Sequence, residues 1–134
     1  MHTTAPEHTA EHYQIQATIA LDNCNYELAK QILDKAANIH VSNPFILELL
    51  GIAEMECASL FQYDESKSYI DRAIACFYES IQIAPNVGYA KYLYLGQFTC
   101  GLESLAYSEK GLIILEKQYL QSFDIDVQSL DVRL

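Results

Sequence analysis

The chain has 134 residues, 51% of them hydrophobic and 19% charged, which is enough apolar surface for one folded core and too little length for several domains. Eighteen acids against eight bases give a formal charge of -10, which repels phosphate backbones and anionic lipid and attracts basic polypeptide. Nucleic acid and membrane surfaces are therefore expected to be poor partners.

Residues 1–10 lack the basic start and apolar stretch of a signal peptide, and no apolar run approaches the roughly 20 residues of a membrane span. An intracellular protein is expected. The opening ten residues read as a disordered tail, ahead of a helical domain over 11–120. Within and just after this tail, His8-Thr9-Ala10-Glu11-His12 spells H-x-x-E-H, which on a helix sets two imidazoles on one face with a glutamate as base. A zinc hydrolase of that kind needs a larger domain and a third ligand in a closed cleft, so it stands only as a remote alternative. No enzyme activity and no cofactor are expected.

The first helix is predicted over 11–21, and the turn cluster Asp22-Asn23-Cys24-Asn25 separates it from a second over 27–39. His40, at that helix end, is expected to cap carbonyls. Ser42-Asn43-Pro44 then stops one helix and starts the next, 45–60, because proline lacks the amide hydrogen yet suits a first helical turn. A fourth helix is predicted over 67–83. Ala84-Pro85-Asn86 repeats the proline punctuation before a fifth, 87–99, and a sixth over 103–120 follows. Residues 121–134 are expected to form a loose end or a partial cap. Turns this short force each helix antiparallel to the one before it.

Cys24, Cys57, Cys76 and Cys100 are dispersed among apolar neighbours with no C-x-x-C pair, which predicts buried free thiols instead of a disulfide framework or a zinc site. The ten tyrosines, Tyr89, Tyr92 and Tyr94 among them, read as helical stacking with hydroxyls at the rim. From Ala36 to Ser66 there is no Lys or Arg, while Glu48, Glu54, Glu56, Asp64 and Glu65 fall there; the plain reading is a solvated acidic face.

Two mid-helix glycines point to repetition. Leu50-Gly51 and Leu95-Gly96 each follow a proline turn, and a helical glycine costs about 1 kcal/mol against alanine, so close approach of a second helix backbone is the expected compensation. Small residues recur in the partner helices at Ala29 and Ala36, Ala73 and Ser80, and Ser104 and Gly111, with Leu33, Phe77 and Tyr107 between them. This pattern resembles the tetratricopeptide repeat family, in which helix pairs of about 34 residues stack into a right-handed superhelix. The resemblance covers 13–120. It departs from the family pattern in about ten extra residues around 59–68, in a third repeat about four residues short, and in a first repeat without the Leu-Gly signature. The longer helix pairs of HEAT and armadillo repeats are the alternative. The fold class expected is all-α, a right-handed superhelical stack of about three antiparallel hairpins.

In such hairpins the first helix faces the concave groove, and residues three or four apart present together there. Aligned on Gly51 and Gly96, the groove candidates are Phe45, Glu48, Ile52, Met55 and Glu56, then Ala90, Leu93 and Gln97; the first repeat, aligned on Ala29, offers Glu11, Gln14, Thr18 and Asp22. Acids alternate with apolar surface, which suits an extended or helical segment that is basic and partly apolar. The carboxylate clamp of heat-shock co-chaperones needs cations, and Gln14, Thr18, Leu49 and Tyr94 stand at its positions.

Residues 91–115, KYLYLGQFTCGLESLAYSEKGLIIL, are similar to the assembly chaperones dedicated to the eukaryotic large-subunit ribosomal protein four, as is Asn43-Pro44 followed by Leu47-Glu48-Leu49-Leu50-Gly51. That resemblance implies a tetratricopeptide chaperone that captures a long basic internal loop of its new-made client and escorts it from cytoplasm to nucleus for ribosome assembly. A general scaffold or adaptor subunit is the alternative. Repeats bury their cores against each other, so an uncovered face on 103–120 would leave homodimerisation through it open.

Overall fold

The structure, a computed structural model, describes residues 8–131, with side chains through Phe123. Capping chemistry sets where its helices begin. Thr9 accepts a hydrogen bond from the amide of His12 at 3.1 Å and opens α1, Ala10–Asp22. Asn43 does the same for α3, Pro44–Ala58: its Oδ1 accepts from the amides of Phe45 and Ile46 at 3.0 and 3.1 Å, and Pro44 occupies the first helical turn. Between them lies α2, Tyr26–Ile39. The others are α4, Tyr63–Ile83, α5, Ala90–Phe98, and α6, Gly101–Asp131. There is no strand among the described residues, so the fold class is all-α.

Three boundaries depart from the sequence reading. Of the extra residues around 59–68, those from Tyr63 onward belong to α4, which starts about a turn before the expected residue 67; the Ser66 hydroxyl donates back to the Tyr63 carbonyl at 2.9 Å. Proline 85 does not open α5: Gly88, at φ 85°, holds the chain in the left-handed region and delays the helix to Ala90. At the other end, α6 continues past Leu120 to Asp131, where a loose end or cap was expected. The disordered tail expected at the start falls mostly on 1–7, outside the described residues, whereas Ala10 is already helical.

The packing divides into two units, one up to Pro85 and one from Asn86. In the first, α1 packs on α2, α2 on α3, α3 on α4, and α1 also meets α3. Its core is Tyr13, Ala17, Ala20, Ala29, Leu33, Ala36, Ile46, Leu50 and Ala53. Small residues sit at the helix crossings as the sequence suggested: Ala29, Ala36, Ala73 and Ser80 are fully buried, with Leu33 and Phe77 between them. Gly51 is buried too, but for a reason different from the one expected. A Cβ there would collide with the ring of Phe77, so the glycine admits an aromatic side chain, not a helix backbone. Ser80 ties the same two helices together by donating to the Pro44 carbonyl at 2.9 Å.

In the second unit α5 packs on α6. Here the close approach involves backbone. A Cβ on Gly96 would stand 2.6 Å from Ser108 Oγ and 3.4 Å from the Ser104 carbonyl, and Ser104 donates to the Gly96 carbonyl at 2.6 Å. A Cβ on Gly111 would stand 2.7 Å from the Leu93 side chain and 3.2 Å from the Tyr89 carbonyl. Tyr92 and Tyr107 contribute rings 6.3 Å apart, which agrees with tyrosines serving the packing.

Candidate binding groove

Helices α1 and α3 lie side by side, and the hollow between them is a cavity of about 490 Å³. It is lined by Gln14, Ile15, Thr18 and Ile19 from α1 and by Phe45, Glu48, Leu49 and Ile52 from α3. The helical period explains the set. Gln14 and Thr18 are four apart, Ile15 and Ile19 are four apart, and 45, 48, 49 and 52 form one stripe of α3. The surface is mostly apolar: Ile15 is 62% exposed, Ile19 56% and Phe45 46%. Exposed singly such side chains mean little, but a contiguous apolar patch rimmed by polar residues, here Gln14, Thr18 and Glu48, is the kind of surface that marks a contact site.

Gln14, Thr18, Phe45, Glu48 and Ile52, all candidates from sequence, converge on this cavity. The other candidates fall elsewhere. Glu11 and Asp22 are exposed near the two ends of α1, outside the cavity lining. Met55 is half-buried one turn beyond it. Glu56 is drawn toward α2, where it lies beside Tyr26; the Cys24 thiol first, then burial and the Glu56 carboxylate, push the Tyr26 hydroxyl up to about 12. Ala90, Leu93 and Gln97 belong to the second unit. Leu93 packs against Gly111 of α6, so its side chain serves its own hairpin, while Ala90 is half-buried and Gln97 exposed.

Ile15, Ile19 and Leu49 were not among the groove candidates, although the i, i+4 pairing of two isoleucines beside Gln14 and Thr18 was visible. The helix face that borders the cavity is one residue wider than a single stripe. Leu49, weighed only as an occupant of a clamp position, is part of the apolar floor.

Glu54 overturns the reading of a wholly solvated acidic face. It is 2% exposed, with Oε1 3.6 Å from Lys30 Nζ and 3.3 Å from Arg72 Nε, while Oε2 has no hydrogen-bond partner among the described residues. Burial dominates the two cations and raises its pKa above the usual glutamate range. Lys30 also pairs with Asp34 at 2.7 Å, and the Arg72 guanidinium stacks 4.9 Å over Tyr69.

The H-x-x-E-H segment is the start of α1. The rings of His8 and His12 stack with centroids 3.9 Å apart and planes 27° from parallel. Among the described residues no three His, Cys, Asp or Glu side chains gather in the manner of a metal site. His40 is the C-cap of α2 and donates its backbone amide to the Ala36 carbonyl at 2.8 Å, while its ring Nε2 lies 2.8 Å from the His8 carbonyl and ties the start of α1 to the end of α2. Of the cysteines, Cys57 is buried and Cys76 half-buried, but Cys24 and Cys100 are exposed, because they sit in turns outside the helix crossings.

No helix among the described residues is long and apolar enough to cross a membrane. Set against models of protein families, curated proteins and solved structures, the chain matches none of them.

Proposed function

We propose that this chain is a protein-binding helical-repeat module of the tetratricopeptide type, and that the α1–α3 groove holds a basic, partly apolar segment of a client protein. The observation that carries this reading is the cavity itself: five residues chosen from helical spacing border one apolar hollow, with Glu48 at its edge. Charge supports the sign of the partner. The first unit carries twelve acids against four bases, a net -8, so a cationic segment is attracted over a distance of about a Debye length before any apolar contact forms. Apolar burial by Ile15, Ile19, Phe45 and Leu49 then sets the lifetime of the complex.

The concrete version is a chaperone for a newly made ribosomal protein, large-subunit protein four, acting in cytoplasm and nucleus; it rests on the similarity of 91–115 to that group of chaperones. A ribosomal loop is basic because it contacts RNA, and an apolar groove on an acidic unit that covers it before assembly competes with misplaced nucleic acid. On this reading the chain is a binder without catalytic residues, and the stacked histidines at the start of α1 are structural.

The test is direct binding of a fluorescent peptide that alternates lysine with leucine, measured by anisotropy at low and high salt. Glu48→Lys should weaken binding at low salt, and wild-type affinity should fall as salt screens the attraction. Glu56→Lys, outside the cavity, should weaken it less. Equal binding of an acidic peptide of the same length would overturn the proposal.

A further inference from the structure

The groove takes its shape from the side-chain rows of its two walls. Ile15 and Ile19 stand four apart on α1, and Phe45 and Leu49 stand four apart on α3 with Ile52 three residues on. Rows of that spacing run nearly along their helices, so the hollow follows α3 from Phe45 to Ile52, which is about 10 Å or about two helical turns.

The walls also decide which conformation of a bound segment can have its peptide groups paired. Both walls are helix, whose backbone groups bond within their own element, and the amides of Phe45 and Ile46 at the start of α3 are already taken by Asn43 Oδ1 at 3.0 and 3.1 Å. The groove thus presents no sheet edge to which an extended chain could add itself. About three extended residues fill 10 Å, and those of their N–H and C=O groups that turn inward meet isoleucine, leucine and phenylalanine side chains. Only Gln14, Thr18 and Glu48 among the lining residues could bond them. A helix arrives with its peptide groups already paired and asks of the groove only room for side chains, which two facing i, i+4 rows provide. Charge sets the other face of such a helix: the first unit's net -8, with Glu48 at the rim, favours lysine or arginine on the flanks that stay in water.

We propose that the client segment occupies the α1–α3 groove as an amphipathic helix, with bulky aliphatic side chains at i, i+4 and i+7 set between the Ile15–Ile19 and Phe45–Leu49 rows and with lysine or arginine on its outer face. This rests on the client reading of the groove and adds the conformation of the partner.

Two peptides of about fourteen residues and identical leucine and lysine content test it against the full chain, one with its leucines at helical spacing and one strictly alternating. The helical order should bind at least about tenfold tighter by anisotropy, and circular dichroism of the mixture should show helix gained over the sum of the parts. A proline at its centre should cancel the advantage, because proline removes a helical hydrogen bond and clashes with the preceding turn. Ile15→Ser with Ile19→Ser should weaken the helical peptide's binding. Equal or tighter binding of the alternating peptide, or indifference to the proline, overturns the helical occupant and leaves the client reading in place. So does a helical peptide that the double variant binds undiminished, since its seat would be another surface. Failure of both orders to bind overturns the client reading and the helical occupant together.

Discussion

The ring of Phe77 fills the place that a side chain on Gly51 would occupy, and both residues are buried where α3 crosses α4. The missing methyl group at position 51 is thus read out by a neighbour in the next helix. That makes Gly51 a packing residue, and its helix-propensity cost of about 1 kcal/mol is offset by the fit of the aromatic ring.

Replacing Gly51 by alanine should therefore destabilise the first unit although alanine is the better helix former. A methyl group forced against a buried ring costs about 1–3 kcal/mol, more than the propensity gain of about 1 kcal/mol. Urea unfolding followed by circular dichroism checks the sign. The same change in a Phe77→Leu background should cost less, because the smaller side chain vacates the contested space. Equal cost in both backgrounds would separate the two residues energetically.

Much of this arrangement was legible in the sequence, because the proline turns at 44 and 85 and the small residues at 29, 36, 73, 80 and 111 are local signals with a mechanical meaning. The start of α4 was not, since 59–68 offers no apolar periodicity to announce a helix. Nor was the far end of α6: after Gly111 the chain has no glycine or proline, so nothing in it stops the helix near Leu120. Half of the groove followed from spacing, but Leu93 and Glu56 could be assigned only once Gly111 and Tyr26 were seen beside them. Glu54 was misread for a general reason. Glutamates are almost never fully buried unless paired, and its partners Lys30 and Arg72 are far away in sequence.

The groove isoleucines offer a clean separation of binding from folding. Ile15 and Ile19 are more than half exposed, so Ile15→Ser with Ile19→Ser should alter stability by no more than about 0.5 kcal/mol per site. Binding of the basic, leucine-containing peptide should nevertheless weaken by an order of magnitude or so, as two buried aliphatic contacts are lost. Thermal melts and anisotropy on the same samples distinguish this from global damage. Intact binding by the double variant would move the client site off the α1–α3 cavity.

Glu54 predicts a pH dependence whose sign is opposite to that of an ordinary salt-bridged carboxylate. Burial raises its pKa in the folded chain above the usual value of about 4.3, so the folded state holds the proton more tightly than the unfolded state does. The stability this contributes is complete below the unfolded pKa and is lost as pH rises through the folded one. Glu54→Gln keeps the shape and removes the titration. Relative to that variant, the wild-type Tm should fall between acidic and neutral pH, each unit of displacement being worth about 1.4 kcal/mol. A gap between the two proteins that narrows as pH rises would mean that Lys30 and Arg72 outweigh burial.

The four cysteines should divide two and two under a thiol reagent. The thiolate is the nucleophile, and burial pushes both Cys57 and Cys76 up to about 11, so little of either is ionised at neutral pH. Cys24 and Cys100 are exposed, in the turn after α1 and just before α6. Brief alkylation of the native protein followed by intact-mass spectrometry should give a chain with two labels, and peptide mapping should place them at 24 and 100. Urea should release the other two together, because Cys57 and Cys76 lie in α3 and α4, which pack on each other and should open as one. Labelling of Cys57 before Cys24 in folded protein would contradict the packing of α3 against its neighbours.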